Sequence, residues 1–360
     1  MPTVKNINSL QYFLHRFPTI DSGYDYTVNY NKNARSKFTS LPTFVAEFFD
    51  CKVNSCPVLI TNEDHMITQH VWNLTHQYKH KPKKTHNLWD QWGDVIDLNL
   101  PTVSKQFNET YTYVWLPIEQ ESAENPWHVW IDMISKFRLI EKRWSLDFSK
   151  YVFILSNPSS YFDKVQKEFF PDLRYMVIPK NETWQFKHLI VPSLSNSDDG
   201  VITPALASWL RRMKSALSIK SERKRKIFIS RDHAVSRKLL NAEKLMMALR
   251  GWETISLEDM PIKEQVRYFS ESSHVVTTHG AGLVNLLWCD PGTKVIEIQD
   301  IKKIDKKVYP ILSYHLGLEH KLNIAKTIPI RLNGNKPQGT KNWQMVNFEI
   351  DIPKLMEQLD

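Results

Sequence analysis

The stretch Ser270 to Ile298, SESSHVVTTHGAGLVNLLWCDPGTKVIEI, decides the fold of this chain. It parses as a helix end, an apolar strand Val275-Val276-Thr277-Thr278 and a turn His279-Gly280-Ala281-Gly282. An apolar helix starts at Leu283 and runs to Trp288, a Pro291-Gly292 turn follows, and Val295-Ile296-Glu297-Ile298 forms a second strand. Strand, glycine turn, helix and strand make a βαβ unit, whose first turn gathers free backbone N–H groups at a helix N-terminus. That arrangement attracts an anion, most often a phosphate. The same glycines can equally serve tight strand–helix packing alone.

Upstream, Lys226-Ile227-Phe228-Ile229 reads as a β-run ending at Ser230-Arg231, followed by His233, Arg237, Asn241 and a helical stretch Ala242 to Leu249. Open α/β sheets bind ligands at the carboxyl ends of their strands. Ser230, Arg231 and Arg237 are therefore expected at a diphosphate, for which arginine offers a planar fork of donors. A solvated loop position is the alternative for Arg237. Between the two segments, Ile262, Val266 and Phe269 share one face of an amphipathic helix and read as core. The order from Lys226 to Ile298 is β-α-β-α-β-α-β, half of a doubly wound sheet.

These residues carry a family resemblance. Ile229-Ser230-Arg231, Arg237 and Asn241, the HGAGLVN box at His279 to Asn285, and Pro291-Gly292 with Val295 to Ile298 resemble glycosyltransferase family 61. Downstream, Tyr309 with Tyr314-His315-Leu316-Gly317-Leu318, and Phe348-Glu349-Ile350-Asp351-Ile352 with Leu355, are similar to the family's closing segments. Upstream, Asn125 to Asp132 (NPWHVWID) resembles its N-x-x-H-W-x-x-D element, with Val129 where an aromatic is commoner. The resemblance spans roughly residues 110 to 360 and rests on several ordered motifs, not on one. It implies an α/β fold of GT-B type: two Rossmann-like lobes with an inter-lobe cleft. It also implies an inverting glycosyltransferase, hexosyl or pentosyl, acting from a nucleotide sugar of the UDP kind, such as UDP-xylose or UDP-GlcNAc, on a glycan or glycolipid acceptor. A non-catalytic nucleotide- or glycan-binding protein that keeps the fold is the alternative.

Length and charge agree with that class. A chain of 360 residues accommodates two ordinary domains. A net charge of +8, from 47 Lys and Arg against 39 Asp and Glu, suits a nucleoside diphosphate or an anionic membrane surface. No helix-turn-helix, zinc-finger or RNP pattern appears, so nucleic acid is not an expected partner. The basic cluster from Arg211 to Lys226 reads as a solvated face or as a patch for peripheral membrane contact. Three cysteines, Cys51, Cys56 and Cys289, argue against a disulfide framework, and Cys51 and Cys56 beside His65 and His70 fit no standard zinc spacing. Asn73, Asn108 and Asn181 begin N-x-T sequons, which matter only in a secretory lumen. With no signal-like run and nothing near the ~20 apolar residues of a membrane span, a cytoplasmic, membrane-peripheral location is expected.

The polar segment from Ser193 to Gly200 is the expected linker. It divides an acceptor-side lobe, 1–195, from a nucleotide-sugar lobe, 201–345, with a closing helix in 346–360 that can cross back to the first lobe. In the first lobe, strands are expected at Val58 to Thr61, Tyr113 to Leu116, Tyr151 to Leu155 and Arg174 to Ile178, with a long helix from about Trp127 to Lys142.

Sugar transfer needs a base for the acceptor hydroxyl and positive groups for the departing diphosphate. His128 and Asp132 are spaced i, i+4, so a helix puts them on one face as an imidazole–carboxylate pair; a structural histidine and a surface aspartate are the plain alternative. Glu121 and Glu124, just before the helix, are rival bases. Trp115, Trp127 and Trp130 can stack on a sugar or fill a core. His279 can bond a phosphate or brace its loop, Asn285 can touch the donor or hold the turn, and Glu297 can meet ribose hydroxyls or a structural ion pair. No D-x-D triad sits at a strand end of the second lobe, so no metal or other cofactor is expected.

Overall fold

A computed structural model describes residues 3–6, 16–31, 34–40, 42–55, 58–63, 65–68, 95–97, 102–108, 110–118, 123–145, 147–195, 202–216, 222, 224–258, 260–300, 308–330 and 346–359. Glu121, Cys56, His70, Asn73 and most of the expected linker, 196–200, lie outside them. The chain divides into two compact units, residues 1–27 with 37–206 and residues 28–36 with 207–360. Both are mixed α/β, and no described helix is long and apolar enough to cross a membrane.

The first unit is built on a mixed sheet. Its central strands are β1 (Thr43–Asn54), β2 (Thr112–Leu116), β3 (Tyr151–Leu155), β4 (Arg174–Val177) and β5 (Thr183–Pro192), in the order β4-β3-β2-β5-β1. The pairs β4-β3, β3-β2 and β2-β5 are parallel, while β5 runs antiparallel to β1 from Thr183↔Asn54 to Pro192↔Val45. Every residue of β3, YVFIL, is buried, as a parallel strand covered on both faces requires. The helical run 126–143 crosses from β2 to β3, and its Phe137 packs on Phe153 with ring centroids 5.1 Å apart. Helix α1 (Ser160–Phe169) crosses from β3 to β4 and buries Phe162 and Val165. Below β2 and β5, Phe107 stacks on Phe186 at 4.7 Å and Tyr113 meets both rings edge-on.

The strands β2 and β3 lie where the apolar runs place them. The twelve-residue β1, TFVAEFFDCKVN, is an addition: Glu47, Asp50 and Lys52 interrupt its apolar run, yet they fall at the less buried positions of a long strand. Only the ladder with β5 makes that pattern legible.

The second unit follows the expected order closely. Its sheet comprises β6 (Arg225–Ile229), β7 (Glu253–Ile255), β8 (Ser272–Thr278), β9 (Lys294–Asp300), β10 (Glu319–Pro329) and β11 (Val346–Glu349). The strand order is β7-β6-β8-β9-β10-β11, parallel throughout except for β11 against β10. Helices α2 (Ala242–Ala248) and α3 (Ile262–Ser270) join β6 to β7 and β7 to β8. In α3, Ile262, Val266 and Phe269 are all buried, as their spacing predicts. The segment between β8 and β9, Ala281–Trp288, is a 3₁₀ helix and not the expected α-helix. The coil carries Leu283 through Trp288 into the core. Helix α4 (Val308–Leu316) precedes β10.

The closing helix α5 (Ile352–Leu359) packs within this unit. Leu355, fully buried, joins Leu245, Ile298 and Phe348 in one apolar cluster, so the helix packs on its own sheet. An amphipathic helix settles where its apolar stripe finds cover, and the face formed by α2 and β9 supplies it.

Candidate functional site

Two groups of the expected residues assemble, one in each unit. In the second unit the group surrounds the carboxyl ends of β6, β8 and β9. Ser230 ends β6: its N–H donates to Ile255 O at 2.8 Å, and its hydroxyl donates to Asp232 Oδ2 at 2.5 Å, tightening the turn that carries Arg231. Ser230 is thereby spent on the loop. The loop from Arg231 to Asn241 is clamped by β11: Arg237 N–H donates to Val346 O at 2.5 Å, Phe348 N–H to Lys238 O at 2.8 Å, and Leu240 N–H to Phe348 O at 2.8 Å. Asn241 closes the clamp by donating to Ile350 O at 2.8 Å and accepting from Ile350 N–H at 3.2 Å. These bonds hold Arg237 at φ 60°, the left-handed region a residue with a side chain seldom enters.

The outcome is a pair of arginines gathered against the glycine turn. Arg237 Nη1 donates to the carbonyl of His279 at 3.0 Å. A Cβ on Gly280 would lie 2.7 Å from Arg231 Nη1, so glycine here permits the close approach of that guanidinium, and backbone freedom is not at issue, since φ at Gly280 is an extended 178°. Gly282 makes room for Leu257 in the same way. The Nε atoms of both arginines are sealed from solvent and have no hydrogen-bond partner. Burial, and after it the charge of Arg231, draws the Arg237 guanidinium down to about 10; burial also lowers that of Arg231. Two like charges held together with unfilled donors form a receptor for an anion. The first hydrogen bond of the 3₁₀ helix is Leu283 N–H to Gly280 O at 3.0 Å, so the amides of Ala281 and Gly282 precede it as first-turn donors.

Behind the turn, His279 Nδ1 lies 2.5 Å from Glu297 Oε1, and Glu297 Oε2 lies 3.0 Å from His320 Nε2. Burial pushes the Glu297 carboxyl up, but hydrogen bonds from His279 and His320 outweigh it and hold the group down at about 2. Both oxygens are occupied and the side chain is fully buried, which leaves Glu297 no reach to a ribose. His320 was not singled out in the sequence; a histidine inside the ordinary-looking strand EHKLNIAK gives no local signal. Asn285, also buried, spans Gln265 Oε1 at 3.0 Å and Gly282 O at 3.2 Å, which braces the turn against α3.

In the first unit, Asn125 caps the helical run by accepting from Trp127 N–H at 3.0 Å, with Pro126 at the first helical position. The run then passes through a π-turn at Val129–Met133, a 3₁₀ turn at Ile134–Lys136 and an α segment at Phe137–Arg143. The i, i+4 expectation holds: His128 Nδ1 lies 2.6 Å from Asp132 Oδ2, with the histidine 36% and the aspartate 25% exposed. One-turn π insertions of this kind concentrate at functional sites. Glu124 is committed elsewhere. Its carboxylate accepts from Ser160 N–H and Ser160 Oγ, each at 2.7 Å, and from Tyr161 N–H at 3.2 Å, capping α1. Desolvation raises this group, yet the bonds from Ser160 and Tyr161 leave it lowered overall, a poor starting point for a base. Trp115 and Trp130 are fully buried, donating to Ser156 Oγ at 3.0 Å and to Tyr161 Oη at 3.2 Å, and Trp127 is buried as well; they fill the core and present no sugar platform.

Cys51 and Cys289 are buried and take part in no disulfide among the described residues. Among the described residues no group of three or more His, Cys, Asp or Glu gathers in metal-binding geometry.

No curated protein matches the chain. Residues 126–296 match the family model described as glycosyltransferase 61, a stretch that takes in His128, Asp132, both arginines and the whole glycine turn and stops just before Glu297. The matched stretch is shorter than the resemblance read from the motifs, and over it the chain is similar to the glycosyltransferase 61 family, which supports that resemblance.

Proposed function

We propose that this glycosyltransferase is of GT-B type and transfers a sugar with inversion from a UDP-sugar, such as UDP-xylose or UDP-GlcNAc, to a glycan or glycolipid acceptor. The second unit takes the donor and the first supplies the acceptor-side base. The observation that carries the reading is the Arg231–Arg237 pair, with sealed and unfilled Nε donors at the carboxyl ends of the strands. Burying two cations together is costly when Glu258 is the one carboxylate that acts on Arg231 and burial still outweighs it, so their retention beside first-turn amides supports a bound diphosphate. The negative charge that builds on the departing diphosphate is met by those guanidiniums and amides, and no divalent ion is required.

In transfer, the acceptor oxygen bonds the anomeric carbon as the bond from that carbon to the diphosphate oxygen breaks. The electron pair leaves with the diphosphate, and the acceptor proton passes to a base. His128 fills that role: Asp132 at Nδ1 fixes the ring tautomer and leaves Nε2 as the accepting atom. Isothermal calorimetry of UDP against the native protein and Arg231→Ala tests the reading; unchanged affinity in the variant refutes it.

A further inference from the structure

The second unit holds a hydrogen-bonded chain that the transfer scheme above does not use. Ser313 Oγ lies 2.7 Å from His320 Nδ1, His320 Nε2 lies 3.0 Å from Glu297 Oε2, and Glu297 Oε1 lies 2.5 Å from His279 Nδ1. Ser313 and Glu297 are fully buried, His320 is 3% exposed, and His279 is 12% exposed at the end of the chain beside the glycine turn. The order of burial runs from sealed core to accessible edge. A chain of this kind polarises along its length and is worth more than its separate bonds.

Its directionality follows from the donor inventory. With the Ser313 hydroxyl donating to His320 Nδ1, the Nε2–H of His320 donates to Glu297 Oε2, and Glu297 Oε1 meets His279 Nδ1. With Nδ1 engaged, Nε2 is the remaining proton site of the His279 ring. The groups facing that ring are few. Glu297 meets it from β9, Tyr309 from α4 places its ring edge-on at 5.4 Å, and Arg237 bonds the His279 carbonyl at 3.0 Å. Arg231 stands against Gly280, and Gln299 Nε2 lies 3.4 Å from Glu297 Oε1.

Resting on the diphosphate reading above, we infer that Ser313, His320 and Glu297 are positioning residues that arm His279 to take up a proton when a nucleoside diphosphate docks on the arginine pair. His279 then acts as a third positive donor toward the departing group. A bound anion adds negative charge beside the ring, and Glu297 at 2.5 Å stabilises the imidazolium that results. The proton comes from solvent and returns to it when the product leaves, so the transfer remains balanced.

The test counts protons. UDP is titrated by calorimetry at pH 7.5 in two buffers of different ionisation enthalpy, with the native protein, Arg231→Ala, His279→Gln, Glu297→Gln, His320→Ala, Ser313→Ala and Ser313→Thr. Native protein takes up protons on binding, His279→Gln does not, and Glu297→Gln loses both the uptake and roughly tenfold in affinity, as for a charge-assisted bond. His320→Ala and Ser313→Ala reduce the uptake, and Ser313→Thr, which keeps the hydroxyl, restores it. A purely structural role would lower thermal stability in these variants without changing the proton count. Arg231-dependent binding with equal uptake in native protein and His279→Gln overturns this inference and spares the diphosphate site. Absent binding, or binding indifferent to Arg231→Ala, overturns both. Should Glu297→Gln fail to fold, Ser313→Ala with unchanged uptake remains sufficient to reject the chain.

Discussion

Arg237 donates its backbone N–H to the carbonyl of Val346 at 2.5 Å, joining the arginine loop to the C-terminal strand. The bond holds a left-handed residue whose guanidinium reaches back to the glycine turn. Loop, turn and tail are thus one mechanical unit, although only the first two lie inside the matched family region. Strain of this sort persists where the surroundings over-determine it.

Removing either arginine should separate binding from stability. Arg231→Ala and Arg237→Ala are each expected to lose about 2 kcal/mol or more of UDP affinity. The melting temperature of the unliganded protein should hold or rise, because truncation relieves repulsion between two part-buried cations. Calorimetry and thermal denaturation read the two effects; a large fall in melting temperature without UDP would count against an anion receptor.

Gly280→Ala should mimic those variants by geometry alone. The backbone there is extended and accepts any residue, but the new methyl would lie 2.7 Å from Arg231 Nη1 and displace it. UDP affinity should fall about tenfold or more, as for a lost charge-assisted bond. Retained affinity would mean that Arg231 is not held where the diphosphate docks.

His128→Ala should reduce turnover by roughly 10²–10⁴ with donor affinity nearly intact, the usual worth of a general base. Asp132→Asn should cost less, since it removes an orienting partner at 2.6 Å and not the proton acceptor. Glu124→Gln should instead lower stability by about 1 kcal/mol, the value of a helix cap, and leave turnover close to native. Steady-state kinetics of the three variants decide the assignment, and a dead Glu124→Gln beside an active His128→Ala would reverse it.

Stability should decline in acid through Glu297. Its carboxyl is held at about 2 when folded against an ordinary 4.5, so folding favours the ionised form. The resulting stabilisation is fully present above the ordinary carboxylate range and is lost as pH falls from there toward about 2. Chemical denaturation between pH 6 and pH 3 should show a slope that flattens in Glu297→Gln. Equal slopes would place the acid sensitivity elsewhere, with Asp21, lowered by Lys142, Thr43 and Arg138 against the opposing effect of burial, as the next group to examine.

Turnover should survive EDTA if, as proposed, the guanidiniums and first-turn amides carry the charge of the leaving diphosphate. Complete loss in EDTA, restored by manganese, would show that a divalent ion is required after all.

The sequence by itself determined the second unit's order of elements and the pairing of two candidate residues in the first, His128 and Asp132. Val275 to Thr278 and Val295 to Ile298 are too apolar and β-branched to be anything but buried strands, and the glycines between them permit only a tight connection. The i, i+4 spacing of His128 and Asp132 likewise left a helix one choice, even though a π-turn carries it. Helical and strand periods are local, so local sequence encodes them. Tertiary structure alone decided which of the candidates are spent and which are open. Glu124 became a helix cap, Ser230 a turn clasp, Asn285 a brace and Glu297 an anchor for two histidines, each by bonding a partner far along the chain. His320 entered the site, and β11 took hold of Arg237, for the same reason. A buried polar group must find its partner in space, and no periodicity in the sequence records where that partner will be.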